Sequence, residues 1–552
     1  MRRFFKLSCG HENPDNGAPQ GKTDGLSGRR GFDPVSTNGK RFAPRERVQL
    51  LVVGAGPAGC AAALEAARLG LKVTLVDENP LDPALMGLEV PFHFGGRMTG
   101  AVRNRNSMTQ AIVANAPALG DAFEAGVDVR LGVAVWSLVA PRPGVVWVGR
   151  RAAGLTDGAE SWFIGFDAAI LATGRRDVGV AFPGWSLPGV MGATAAYHLL
   201  RRYDALEGQT FVILGSGAEA TVLAEALRSA GRTVAAIVEA ASEPVDSAGC
   251  ARLAESGVKI LAGAMVRRAL GRDSVEGASI VRLDDAQNEA TIACDTIVLA
   301  IGAAPVIELF DIAGAAIVFR SESGGHVPLV DADGRTTEPM LFAAGDCLGI
   351  KDDPPAAAAA EGVRAARAAA AALAAGSDAD WPKPLIEARQ AEQAPSPRLL
   401  WVRASRSVAE ADTHICQCEE VSLADLLGVR PPGYLRRDQP AQQARDLASL
   451  ADEARINQDQ VKRLTRAGMG PCQGRRCREQ IGAALAEATD VALSAIPLPS
   501  YRAPVRPLPL AAFADESEEP AMAEHWDTWF GIVSQWIPFW EPLPATDEET
   551  GR

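Results

Sequence analysis

Four of the nine cysteines stand in two close pairs, Cys416-Gln417-Cys418 and Cys472-Gln473-Gly474-Arg475-Arg476-Cys477. Four thiolates brought together can hold zinc or an iron–sulfur cluster. Structural zinc knuckles prefer roughly two to four residues between paired ligands, and the single residue between Cys416 and Cys418 fits that poorly. Cys60, Cys250, Cys294 and Cys347 are isolated and read as buried neutral thiols. No Cys-x-x-Cys follows the first glycine motif, so dithiol–disulfide chemistry is not expected.

The second chemical signal is phosphate binding. Gly54-Ala55-Gly56-Pro57-Ala58-Gly59 lies between an apolar run, Val48 to Val53, and a small-residue stretch, Cys60 to Leu69. Gly54 permits the tight turn, Gly56 lets the backbone approach a pyrophosphate, and Gly59 lets helix and strand pack closely. The helix start offers free N–H groups and the positive end of its dipole. Asp77, followed by Glu78, ends the next apolar run, where a carboxylate can accept from ribose hydroxyls. Gly215-Ser216-Gly217-Ala218-Glu219-Ala220 repeats the arrangement, with Glu239 closing its second strand. An acid at that position favours NAD over NADP. Small residues there also serve packing alone, so the spacing leaves open whether NAD binds, a different adenine nucleotide binds, or the pocket is vestigial. Six histidines are scattered through the chain. None pairs with a Ser or Cys nucleophile, and no catalytic acid–base pair can be named. That suits a chain whose chemistry resides in cofactors.

The elements that must position these residues form a nested pattern. Val48–Val53, the helix from Cys60 and the strand Leu71 to Asp77 make a βαβ start, which implies a parallel sheet with helices on both faces. A second start runs from Phe211 to Glu239. It is flanked by strand-like Ala168 to Leu171 and Met340 to Ala343, so it is inserted into the first. The fold class is therefore α/β, with two nested Rossmann-like dinucleotide-binding domains and a small third module. We expect a flexible arm over 1–47, a discontinuous first nucleotide domain over 48–192 and 306–400, and an inserted nucleotide domain over 193–305. A cysteine module follows over 408–492, then a proline-rich strap and Trp-rich tail over 493–552. An Ala-rich helix is expected over 355–375. The net charge of −13 disfavours nucleic acid or anionic membrane as a partner. No apolar run is long enough to span a bilayer, and the N-terminus builds no signal-peptide core, so the default location is cytoplasmic.

Ile170-Leu171-Ala172-Thr173-Gly174 and Leu341-Phe342-Ala343-Ala344-Gly345-Asp346, together with the first glycine motif, resemble the two-dinucleotide-binding flavoprotein family, of glutathione-reductase-like fold. The resemblance implies FAD at the first motif, Ala172-Thr173-Gly174 at the crossing between the domains, and Gly345-Asp346 against the FAD. The structural alternative for Asp346 is a helix N-cap. Gly95-Gly96-Arg97 resembles the loop by which the family approaches the flavin. Cys-Gln-Cys-Glu-Glu-Val with Thr465 to Gly474 resembles the bacterioferritin-associated-ferredoxin-like domain. That implies a 2Fe–2S cluster on Cys416, Cys418, Cys472 and Cys477, with an insertion around Pro431 to Gln458. The order of parts, Phe182 to Met191 and the strap Tyr501 to Pro509 resemble a group containing the hydrogen cyanide synthase B, opine oxidase A and D-hydroxyproline dehydrogenase α subunits. This implies an electron-transfer subunit that works with a second, amine-oxidising flavoprotein subunit. It leaves room for an FMN between subunits and for a small third subunit. A stand-alone NADH-dependent reductase and a non-catalytic iron–sulfur scaffold are the alternatives.

Overall fold

The computed structural model describes residues 44–80, 98–141, 150–285, 287–350, 354–376, 381, 396–410, 413–435, 446–453 and 455–513. Residues 1–43 of the expected arm, the Gly95-Gly96-Arg97 loop and the Trp-rich tail lie outside them; the arm's expected end at 47 is corrected, because Glu46 and Arg47 already open the first strand, paired with Ile164 and Gly165. The first strand, Glu46–Val53, buries its last four residues and runs parallel to Val73–Asp77 on one side and to Ser161–Leu171 on the other. Between the first two strands the chain forms the helix Pro57–Arg68, with Gly56 at its N-cap and proline in its first turn, where the missing N–H costs nothing. The long strand Ser161–Leu171 is shared. Its first half pairs antiparallel with Ala152–Thr156, and its end pairs parallel with Leu341–Ala343. The returning strand thus completes the sheet that the first strand began.

The second sheet is all parallel, ordered Lys259–Ala262, Thr233–Glu239, Thr210–Leu214, Thr296–Leu299, Val190–Gly192. It takes in Val190–Gly192, just ahead of the expected boundary at 193. A three-residue strand after Pro188-Gly189 is too short to carry a pattern of its own. The two chain crossings between the sheets, Arg175–Asp177 and Ala303–Pro305, pair antiparallel as a ribbon. The Ala-rich helix spans Pro354–Ala375. It lies against Pro57–Arg68 closely enough that a Cβ on Gly362 would meet the Ala58 carbonyl at 2.1 Å.

The helix Pro397–Val408 and the cysteine module share one apolar core with the second sheet, through residues such as Trp185, Trp401, Ile415 and Leu423. Trp185 Nε1 donates to the His414 carbonyl at 2.7 Å and Ser405 Oγ donates to the Ala181 carbonyl. The Phe182 to Met191 segment is thus a seat for the module. Among the described residues no helix is long and apolar enough to cross a membrane.

Candidate functional site

Both glycine motifs are built alike. Gly54 and Gly215 take φ of +104° and +101°, a region open to glycine at little cost. A Cβ on Gly54 would meet the Ala172 carbonyl at 2.2 Å, and one on Gly215 the Ala300 carbonyl at 2.0 Å. A Cβ on Gly59 would strike the Gly54 carbonyl at 1.7 Å. Gly56 and Gly217, at the two helix N-caps, have open space on the Cβ side. Each strand-end acid is turned under its own loop. Asp77 accepts from Ala55 N at 2.6 Å and from Asn79 N at 2.8 Å. Glu239 accepts from Ser216 N at 3.0 Å, from Ser216 Oγ at 2.6 Å and from Ala241 N at 3.0 Å. An ionised carboxylate has about four lone-pair sites, so neither acid is saturated.

The two motifs open into one cavity of about 1240 Å³. Its wall includes Gly54, Gly56, Pro57, Ala58, Asp77 and Glu78 from the first motif, and Gly215, Gly217 and Glu239 from the second. Ala172, Thr173 and Gly174 of the crossing and Gly345 and Asp346 of the return also line it. These expected site residues are therefore brought together, apart from Gly59, which packs beneath the loop, and Gly96 and Arg97, which lie outside the described residues. Asp346 does not cap the Ala-rich helix. It opens a short 3-10 turn, Asp346–Leu348, while the long helix starts at Pro354. Pro355 and Ala358 of that helix's first turns line the cavity.

Sequence reasoning missed a charged junction between the two halves. Arg175 contacts Glu219 at 3.1 Å and Asp346 at 3.6 Å. Asp177 accepts from Thr194 N at 3.1 Å and Ala195 N at 3.3 Å. Burial, reinforced by Asp177, pushes the Glu219 carboxyl up to about 7. Burial, then Arg202 and Arg175, drives the His198 imidazole down to about 3. On the first-motif side, Arg506 of the strap donates to Glu78 at 2.8 Å. Only the adjacency of Asp77 and Glu78, and of Arg175, Arg176 and Asp177, hinted at this in the sequence.

The four paired cysteines converge. Cys418 Sγ and Cys472 Sγ are 3.5 Å apart. Sulfur–sulfur interactions of Cys416 and Cys472 with Cys418 and Cys477 hold the first two thiols down and push the other two up. Gly468 N donates to Cys416 Sγ at 3.4 Å, and a Cβ on Gly470 would meet Cys418 Sγ at 2.5 Å. Only Cys418 is partly exposed. The sulfurs stand as a closed ring. Among the described residues no group of three or more His, Cys, Asp or Glu side chains is arranged to hold a metal ion as it stands. Cys60, Cys250, Cys294 and Cys347 are buried and apart from the ring. Burial pushes Cys60, Cys294 and Cys347 up to about 12.

This fold, with its paired glycine cradles on one cavity, defines a nucleotide-dependent redox protein. Residues 48–372 match the pyridine nucleotide-disulphide oxidoreductase family, and the chain belongs to it. It is a flavin oxidoreductase, and the family implies FAD. The cradle fits such a group, with glycines where a side chain would collide and open space over Gly56. Residues 441–516 match the sarcosine oxidase A3 domain. The chain is 29% identical over 495 residues to the A subunit of opine oxidase from Agrobacterium tumefaciens, covering 84% of this chain and 91% of that one. It is 27% identical over 516 residues to the HcnB subunit of hydrogen cyanide synthase from Pseudomonas aeruginosa, covering 85% and 99%. Among solved structures, L-proline dehydrogenase from P. horikoshii superposes with a TM-score of 0.56 at 20% identity, over 85% of this chain and 79% of that one.

Proposed function

We propose that this chain is the electron-transfer subunit of a heteromeric amine, imino-acid or opine dehydrogenase. In this reading FAD is held by Gly54, Gly56, Gly59, Asp77 and Asp346, and a 2Fe–2S cluster by Cys416, Cys418, Cys472 and Cys477. The observation that carries it is the convergence of four thiols on a module packed against the nucleotide domains. Cysteine-only donors, burial, a backbone N–H aimed at Cys416 and a glycine where a Cβ would strike Cys418 suit an iron–sulfur centre. The ring would have to open outward around two irons. Bound together, flavin and cluster supply two-electron and one-electron redox steps respectively. The chain's own residues bind and enclose. The glycine loop receives a pyrophosphate, Arg506 and Glu78 close one side of the cavity, and Glu219 holds a proton near neutral pH beside Arg175. The relatives named for opine oxidase and hydrogen cyanide synthase are themselves subunits, which supports a partner where the amine is oxidised.

The test is to purify the chain anaerobically, alone and with its candidate partner. We expect flavin and about two irons per chain with acid-labile sulfide, and amine-dependent dye reduction only when the partner is present. Amine oxidation by the chain alone would overturn the subunit reading. Rapid flavin bleaching by NADH would make it a stand-alone reductase, and zinc without iron would overturn the cluster.

A further inference from the structure

Between the thiol ring and the cavity lies a buried bridge of charges. Arg478 follows ring residue Cys477 directly and is 2% exposed. Its Nη1 donates to Glu308 Oε1 at 2.9 Å. The same oxygen accepts from Arg176 Nη1 at 2.8 Å, and Arg176 lines the nucleotide cavity. Glu308 is 1% exposed, and its other oxygen has no hydrogen-bond partner. Burial alone would raise this carboxyl, but Arg176 and Arg478, then Arg506, hold it well below the usual range. Arg478 also contacts Glu479 at 3.1 Å and stacks over the Tyr501 ring at 5.2 Å. Glu479 is shared in turn with Arg398 at 2.6 Å.

Arg176, Arg478 and Arg398 against Glu308 and Glu479 leave this bridge one positive charge in excess, and Arg475 and Arg476, also buried, lie in the same loop as the ring. Excess charge taken out of water is costly unless an opposite charge faces it. A two-iron centre with four thiolates carries two net negative charges, and one more when reduced. Interior pairs act over a lower effective dielectric than surface ones, so a cation beside such a centre favours the extra electron.

We propose that Arg478 is a positioning residue for the centre held by the thiol ring: through Glu308 and Arg176 it ties the ring to the cavity wall, and its charge favours the reduced state. This rests on the two-iron reading given above. Glu308 has the opposite electrostatic effect while serving the same bridge. The two residues can therefore be separated by the sign of what their loss does.

The experiment uses the full chain, purified anaerobically, with iron and sulfide counted and the midpoint potential followed by electron paramagnetic resonance. Arg478→Gln should lower the reduced-to-oxidised ratio at the wild-type midpoint about tenfold, which is about 59 mV for a one-electron couple. Glu308→Gln should raise that ratio about threefold, and Arg478→Lys should stay close to wild type. If both neutral variants shift the potential in the same direction, or neither shifts it, at unchanged iron and sulfide content, the proposal fails. If Arg478→Gln does not fold or load, Glu308→Gln decides alone: an upward shift supports the proposal, and no shift or a downward one overturns it. Absence of iron from the wild-type chain is a different result, and it removes the cluster reading itself.

Discussion

The two nucleotide motifs share a backbone and differ in charge. In both, a left-handed glycine sits against a carbonyl of the neighbouring strand, an open glycine caps the helix, and a strand-end acid holds the next N–H of its own loop. The first motif starts its helix with Pro57 and Ala58 and is faced by Arg506 of the strap. The second carries Glu219 in the first turn of its helix, close to Asp177 and Asp346. A dinucleotide brings a diphosphate of negative charge to the helix start, where free N–H groups and the dipole favour it. Once ionised, above about pH 7, Glu219 opposes that attraction at the second motif, and no residue of the first turn does so at the first. Ser216 is further wired in place, donating to Glu239 and accepting from Val245 N at 2.8 Å. The comparison teaches that the glycine pattern reports a fold requirement that both motifs meet, while the charges around the two motifs differ.

The largest expected effect breaks the comparison at its shared element. Gly56 and Gly217 both have open space where a Cβ would go, so valine at either position should leave the chain folded. Gly56→Val places a side chain where the first pyrophosphate is expected and should abolish flavin retention, read from the absorbance of purified protein. Gly217→Val should leave flavin content within about twofold of wild type, since the second motif is not expected to hold it. Equal flavin loss from both variants would show that the two sites do not differ as their charges imply.

How much of this is legible in the sequence follows from how local each requirement is. The positive φ of Gly54 and Gly215 and the close approach of Gly59 to the Gly54 carbonyl arise within a few residues of strand, turn and helix, so spacing exposes them. The cysteine pairs announce themselves for the same reason. The bridge through Arg176, Glu308 and Arg478 leaves no such trace, because its contacts join residues 132 and 170 positions apart. Nothing near Glu308 in the chain marks it. The Gly-Arg-Arg-Cys-Arg run from Gly474 is a faint signal, since charged residues crowded beside cysteines suggest a tuned site. The alternative of Asp346 as a cap for the Ala-rich helix fails because Asp346 opens a separate 3-10 turn, Asp346–Leu348, well ahead of the helix start at Pro354.

A smaller effect sharpens the contrast through pH. Burial, then Asp177, raises Glu219 in the folded chain to about 7, against about 4.3 for an exposed glutamate. Between these values the folded chain binds more protons than the unfolded one, so stability falls as pH rises through that window and levels off above it. The contribution is at most about 4 kcal/mol. Glu219→Gln should remove the slope, so that the variant gains on wild type as pH rises from about 5 to about 7, measured by thermal unfolding at each pH. Parallel curves would mean that Arg175 already holds Glu219 charged throughout. Above about pH 7, where wild-type Glu219 is mostly ionised, the same variant should bind NADH more tightly than wild type in a fluorescence titration, because the opposing charge is gone.

The smallest effect concerns the strap. Val505 N donates to the Trp136 carbonyl at 2.8 Å, Arg475 donates to the Val505 carbonyl, and Arg506 pairs with Glu78 on the cavity wall. The strap therefore joins the cysteine loop to the first sheet and sets a cation near an expected anionic ligand. Arg506→Gln removes that cation and leaves Glu78 facing the cavity. Glu78→Gln removes the carboxylate and keeps the Arg506 cation on the cavity wall. A partly exposed charge-assisted hydrogen bond is worth about 1 kcal/mol, so Arg506→Gln should weaken FAD binding about fivefold. Glu78→Gln should bind FAD at least as tightly as wild type. Isothermal titration of FAD into flavin-stripped chain reads both. Equal weakening by the two substitutions would mean that the pair acts only as a staple between strap and sheet. The charge contrast between the two motifs would then rest on Glu219 alone.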